Sequence, residues 1–228
     1  MLVVGATGRL GVRIARALRG RGDRVVLTAR DATKLAAMQA ELGGPSVAKA
    51  VSADLTAREA PDSIASEIRA QGGIDDVVLA CGPFPRTPFE ALRREDLERT
   101  LAVHAVAPLL LVAALSQELI ASQGAVIALG DAGVTRPYEN HVAYITAKGA
   151  LQTGLRALAV ELAPHVRINM VALGIVADPE ADADPLRTHR LATRSPLGRF
   201  GTADEVAHVV LALLDATWAT GEIWGIGR

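Results

Sequence analysis

Cysteine is almost missing from this 228-residue chain, and the single Cys81 excludes an internal disulfide framework and any cysteine-rich metal site. Aromatic residues are scarce too, at 3%, so a core has to be built from Ala, Val, Leu and Ile. Half of the residues are hydrophobic, which is ample for one. Charge of one sign is also lacking. A formal net charge of −1, with no run of Lys or Arg and no aromatic ladder, argues against general nucleic-acid binding. The apolar runs at 109–115 and 125–129 are too short to cross a membrane. Met1 leads straight into a Gly-rich stretch, leaving no room for a signal peptide. No linker-like stretch divides the chain. These absences predict one cytoplasmic domain over residues 1–228, with no resident metal, no nucleic-acid partner and no membrane partner.

What is present is an alternation of short β-branched runs with longer helical patterns. Strands are expected at Leu2–Val4, Arg24–Thr28, Val47–Val51, Asp76–Ala80, Ala125–Leu129, Val166–Val171 and, briefly, Glu222–Trp224. Helices are expected at Gly11–Arg19, Ala32–Leu42, Ala60–Ala70, Val142–Ala163 and Thr202–Leu214. A long helix over Glu95–Ala121 carries Pro108 as a kink. Apolar strands between helices call for a parallel sheet covered on both faces, the doubly wound α/β class. Residues 174–200 show no clean periodicity and read as a long irregular loop, the kind that forms lids or binding walls.

The turn after the first strand reads VVGATGRLG. Glycine there permits a tight turn and close backbone approach, and the helix that follows offers unpaired N–H groups to a pyrophosphate. Gly5, Thr7, Gly8, Arg9, Leu10 and Gly11 are the candidate phosphate-binding residues. At the end of the second strand an acidic residue would take a ribose 2′-hydroxyl, whereas an Arg accommodates a 2′-phosphate. LTARD places Arg30 at that tip and Asp31 at the cap of the next helix, so NADP(H) is favoured, with NAD(H) still admitted. Asp54, followed by Leu55, either meets an adenine amino group or caps a turn.

Tyr144 and Lys148 stand four residues apart in a segment with good helix formers and no internal Pro. At about 3.6 residues per turn the phenol and the ammonium share a face. A fixed cation beside a phenol favours phenolate and lowers a value of about 10 in free Tyr. A phenol tuned in that way can exchange a proton with a substrate oxygen or nitrogen.

With the Gly-rich turn, YxxxK, RINMVALG at 167–174 and SPLGRFGTADEVA at 195–207, the chain resembles the short-chain dehydrogenase/reductase family along nearly its whole length. The resemblance implies a Rossmann-type domain with seven parallel strands, a nicotinamide cofactor, a small-molecule substrate and a homodimer or homotetramer packed through the long helices. It makes Tyr144 the acid/base and has Lys148 lower its pKa and hold the nicotinamide ribose. Ala80, Cys81 and Gly82, after the fourth strand, and Gly174 and Val176, after the sixth, fall where the family lines the cofactor.

Three positions depart from the family pattern. Asp131 replaces a Ser thirteen residues before the Tyr, His104 replaces an Asn in the long helix, and Leu79-Ala80-Cys81-Gly82 replaces NNAG. The Asp, together with Arg9-Leu10-Gly11 and AYITAKGAL, is similar to the pteridine and dihydromonapterin reductases. In that branch Arg9 would touch both pyrophosphate and pterin, and Phe84 sits where an aromatic stacks on the ring. A carboxyl in a partly dry pocket can hold a proton and pass it to a ring nitrogen or to Tyr144, which suits reduction of a C=N bond. An ionised Asp131 would instead raise the Tyr pKa and weaken simple carbonyl reduction. His104 either bridges to Lys148 through water or bonds a backbone carbonyl. The candidate catalytic set is thus Asp131, Tyr144 and Lys148, with Phe84 against the substrate. The alternatives are a ketone or 3-oxoacyl reductase, and a nucleotide-binding sensor or partner protein that keeps the fold without turnover.

Overall fold

The computed structural model describes residues 1–177 and 185–227. Among them seven strands form one parallel sheet: β1 (Leu2–Val4), β2 (Val25–Ala29), β3 (Ala48–Ser52), β4 (Val77–Leu79), β5 (Ala125–Asp131), β6 (Arg167–Leu173) and β7 (Ile223–Ile226), in the order β3-β2-β1-β4-β5-β6-β7. The chain winds outward from β1 in one direction to β3, then crosses to β4 and winds outward to β7. That reversal between β1 and β4 is where such sheets open a crevice at the carboxyl ends of their strands.

Strand side chains alternate between two cores, as a pleat requires. Leu2, Val4, Val77, Leu79, Val126 and Ala128 pack on one face. Val3, Val78, Ala125, Ile127 and Leu129 pack on the other. The first face is covered by α3 (Ala60–Ala70), α5 (Ala107–Ala114) and α7 (Val142–Glu161) through Ile64, Ile68, Leu111, Leu151 and Leu155. The second is covered by α1 (Arg9–Gly20), α2 (Ala32–Glu41) and α9 (Ala203–Asp215) through Ile14, Leu18, Leu35, Val206, Val210 and Leu213. α9 starts on a capping box in which Thr202 and Glu205 satisfy each other's backbone N–H groups. The buried stripe of α7 runs Ala143, Tyr144, Ala147, Lys148, Leu151, Leu155, Ala159, so the Tyr and Lys lie on its core-facing side.

The expected long helix over 95–121 is instead α4 (Arg94–Leu101), a π-helical turn (Ala102–Val106), α5 and α6 (Ser116–Ser122), with a break at Leu115. Pro108 has no N–H to donate, and the π turn before it lets Ala107 N–H bond Ala102 O five residues back. The Cys81 thiol is directed to the Val103 carbonyl at 3.7 Å. The Arg94–Ala114 stretch has the length and apolarity of a membrane span, with a mean hydropathy of 1.5. Here Leu111 and Val112 are part of the core against α3 and α7. A second difference lies in the expected loop at 174–200. α8 (Pro185–Ala192) stands inside it, opened by a Pro that is pre-set for a first helical turn. Residues 178–184 of that loop lie outside the described residues.

Candidate active site

The Gly-rich turn leaves β1 at Gly5, whose φ is +80° and where a Cβ would fall 2.7 Å from Ala80 O. Only glycine lets this turn lie against the tip of β4. α1 then follows its N-cap, Gly8, with no side-chain cap and no acidic residue in its first turn. Its N-terminal N–H groups and the positive end of the helix dipole therefore face the crevice, ready for an anion. Gly11 packs against Gly5, Leu10 is partly buried in the core, and Thr7 and Gly8 lie at the mouth. Arg9 crosses the crevice to donate to the carbonyls of Val176, at 3.1 Å, and Ala177. That segment is pinned by Gly174 N–H on Ile226 O at 2.8 Å and by a bridge from Val176 to Gly201.

Arg30 is exposed at the end of β2, and its carbonyl accepts from Ser52 at 3.1 Å. Asp31 caps α2, accepting from Lys34 N–H at 3.0 Å, as expected. Asp54 Oδ1 closes a turn with the backbone N–H and hydroxyl of Thr56 at 2.9 and 2.8 Å. Those two bonds, with a smaller contribution from the Arg30 charge, hold its pKa below the usual carboxylate range. Of its two expected roles the turn cap is the one formed. Leu55 packs against the core beneath it.

Tyr144, Lys148, Asp131 and Phe84 are brought together at the carboxyl end of β5. Tyr144 donates to Asp131 Oδ2 at 3.1 Å, and Gly133 N–H donates to Asp131 Oδ1 at 2.6 Å. Lys148 is buried, with Nζ 5.8 Å from the centre of the Tyr144 ring, and donates to Leu129 O at 2.8 Å. Burial lowers the Lys148 pKa, while Cys81 and Asp131 act against that shift.

In this state two influences oppose the expected lowering of the Tyr144 pKa by Lys148. Burial, followed by the negative charge of Asp131, raises it well above the ordinary value. Burial comes first, and geometry adds to it. The spacing puts both groups on one face, but the ammonium is committed to a backbone carbonyl while the carboxyl contacts the phenol directly.

Residues 5–226 match the family profile described as Enoyl-(Acyl carrier protein) reductase. The chain belongs to the short-chain dehydrogenase/reductase family of oxidoreductases. Among its relatives, L-xylulose reductase of Bos taurus is 30% identical over 219 residues, covering 93% of this chain and 87% of that one. The 3-oxoacyl-[acyl-carrier-protein] reductase of Homo sapiens is 28% identical over 225 residues, covering 97% and 93%. A solved glucose/ribitol dehydrogenase of the family from Brucella melitensis superposes with a TM-score of 0.90 at 29% identity, covering 99% and 93%. L-sorbose reductase from Gluconobacter frateurii, solved with NADPH and L-sorbose, also gives 0.90, covering 99% and 94%; at 22% identity it shows the shared fold.

Three residues of this short-chain dehydrogenase/reductase complete the surroundings of Tyr144 and Asp131. His104 faces Tyr144 edge-on at 5.2 Å and bonds Pro83 O through Nε2 at 2.8 Å, the backbone-carbonyl alternative. Burial, reinforced by the Lys148 charge, pushes its pKa down to about 3. The ring is therefore neutral, with the proton on the nitrogen that meets the carbonyl. Among the described residues Nδ1 has no partner. His141, to which the sequence assigns no role, stands at the N-cap position of α7 without a side-chain cap bond and stacks on Phe84 with ring centres 4.4 Å apart. Tyr138 carries no motif, and it donates to Asp131 Oδ2 at 3.1 Å. Its one signal in the sequence is rarity: it is the only tyrosine besides Tyr144. Phe84 itself is 59% exposed and meets Tyr144 edge-on at 4.8 Å. Cys81 is buried and its thiol pKa is raised by that burial, the mark of an inert side chain.

Proposed function

We propose that this chain is a single-domain, NADP(H)-dependent reductase that adds hydrogen across a C=O or C=N bond of a small substrate, with Asp131, Tyr144 and Lys148 as its catalytic residues. The observation that carries the reading is the Tyr144 hydroxyl held on Asp131 at the end of β5, with a buried Lys148 one turn along α7, at the same carboxyl edge of the sheet from which the uncapped α1 starts. The residues present fit the dinucleotide. Gly5, Thr7, Gly8, Arg9, Leu10 and Gly11 would hold the pyrophosphate, Arg30 a 2′-phosphate, and Asp54 and Leu55 would border the adenine. Ala80, Cys81, Gly82, Gly174 and Val176 would line the nicotinamide, and Lys148 would hold its ribose. An NADPH-bound neighbour with the same fold supports the choice of cofactor. When bound, the reduced nicotinamide supplies a hydride.

The chain's own residues supply the proton. Tyr144 donates its hydroxyl hydrogen to the substrate oxygen or nitrogen. Lys148, one turn along the same face, offsets the negative charge left on that phenol. Asp131 orients the hydroxyl and is the next group along the route by which the proton is replaced.

We infer a flat conjugated ring with a C=N bond, of the pterin type, as the substrate class. Asp131 in place of a hydroxyl residue supports this, as does the exposed Phe84 ring beside Tyr144. A ketone is the second reading, favoured by the xylulose and 3-oxoacyl reductases among the relatives. Exposed Val106 and Leu110 in the α4–α5 region and Val160 on α7 support a homodimer or homotetramer.

The test is NADPH oxidation by the purified protein with dihydropterins, small ketoses, other ketones and 3-oxoacyl thioesters. Turnover of a dihydropterin supports the first substrate reading, and turnover of ketones alone supports the second. Tight NADPH binding with no turnover of any of them would refute the enzymatic reading in favour of a nucleotide-binding partner protein.

A further inference from the structure

Tyr138 lies half-buried on the stretch between Asp131 and α7, and its position is built from both sides. On one side its hydroxyl donates to Asp131 Oδ2 at 3.1 Å, the same oxygen and the same distance as the Tyr144 hydroxyl. Gly133 makes this approach feasible, because a Cβ there would fall 2.4 Å from Tyr138 Cε1 and 2.8 Å from Asp131 Oδ1. On the other side the ring meets His141 at 5.0 Å and Phe84 at 6.0 Å. That wall is itself tied down: Thr87 N–H donates to Asn140 O at 2.6 Å, and Thr87 pairs with His141.

An O–H has one hydrogen to give. When Tyr144 aims its hydroxyl at a substrate atom, Asp131 Oδ2 loses that donor. Beside the buried Tyr144, where water is partly excluded, a carboxyl oxygen stripped of its partner is costly, and the side chain would turn to find another. A second phenol on the same oxygen removes that cost, because one donor stays when the other leaves.

We propose that Tyr138 is a positioning residue of the reaction, its hydroxyl retaining the Asp131 carboxyl in place while Tyr144 turns to the substrate. This rests on the reading of Tyr144 as the proton donor. It assigns Tyr138 no contact with the reacting atoms; it acts through Asp131.

The experiment is a double-mutant cycle of Tyr138→Phe with Asp131→Ser, read in two ways. Phe keeps the ring contacts with Phe84 and His141, so the fold is retained and only the hydroxyl is lost. In turnover, Tyr138→Phe lowers kcat about tenfold, the worth of one hydrogen bond to a charged group, with little change in substrate KM. In the Asp131→Ser background the same substitution has no further effect. A drop of equal size in both backgrounds, or no drop with Asp131 present, overturns the proposal.

The second readout needs no substrate. The chain has two tyrosines, so 3-fluorotyrosine labelling gives two fluorine resonances. Tyr138→Phe displaces the Tyr144 resonance when Asp131 is present and leaves it unmoved in Asp131→Ser. If no compound is turned over, the enzymatic reading fails while this measurement still decides whether the two phenols share the carboxyl. A Tyr144 resonance indifferent to Tyr138 in both backgrounds refutes the proposal.

Discussion

Replacing His104 by Asn probes the electrostatics of the site without removing Asp131, Tyr144 or Lys148. The imidazole is held neutral because burial excludes water and the Lys148 ammonium repels a second positive charge, with the bond to Pro83 O acting against both. Its pKa falls from an ordinary value of about 6.5 to about 3. The consequence for stability has a definite sign. Below pH 6.5 the unfolded chain binds a proton on this ring and the native chain does not, so stability falls as pH falls. The contribution is fully present above about pH 6.5, and its loss is complete only as pH approaches about 3. Every tenfold change in the proton's affinity for the ring corresponds to about 1.4 kcal/mol, so the whole effect is of order 5 kcal/mol, and about 2 kcal/mol is lost by pH 5. That is a measurable part of a domain stability of about 5–15 kcal/mol.

The assay is denaturant unfolding of the wild type and His104→Asn at pH 7 and pH 5, at matched ionic strength. Carboxylates elsewhere titrate alike in both proteins and cancel in the difference. At pH 7 the variant is the less stable, having lost imidazole packing next to Tyr144. By pH 5 that deficit should shrink by about 2 kcal/mol, because Asn has no proton to refuse. A deficit that is the same at both pH values would refute the neutral, buried imidazole and with it the field assigned to Lys148.

Three further outcomes follow from the same geometry. Asp131→Ser, which restores the residue common in the family, should raise kcat on ketones about tenfold while lowering it on dihydropterins, since it removes the charge that adds to burial in raising the Tyr144 pKa; NADPH oxidation on both substrate classes measures the ratio, and a parallel change in both defeats the argument. Tyr144→Phe should reduce kcat by at least about a hundredfold and leave NADPH affinity nearly unchanged by fluorescence titration; loss of cofactor binding would make the phenol structural. Arg30→Asp should move the preference from NADPH towards NADH by about tenfold or more, and an unchanged ratio of kcat/KM values would place the 2′-phosphate elsewhere.

The fold was legible because the central strands are short runs of Val, Leu, Ile and Ala that have to be buried on both faces, and because the intervening helices carry their apolar residues at helical spacing. The Tyr144/Lys148 pair was legible for the same reason, since spacing on a helix dictates a shared face. Spacing does not dictate an acceptor. Whether Lys148 serves the phenol or a strand carbonyl depends on where Leu129 lies, and that is set by the packing of α7 on β5. Pro108 announced an irregular helix, but the form it took, a π turn with a thiol aimed at the Val103 carbonyl, needed the tip of β4 beside it. Tyr138 was the furthest out of reach. Nothing in its local sequence distinguishes a turn residue from a partner of Asp131. The decisive fact is that the chain folds back past Gly133, where a missing side chain lets the ring approach. Tyr138 was out of reach because it acts through a carboxyl rather than on a helix face, and there it meets Tyr144 and the turn backbone. Asp131 is the point at which they converge: it receives the backbone of its own turn and both tyrosines, so the chemistry of the site depends on which of those donors it keeps.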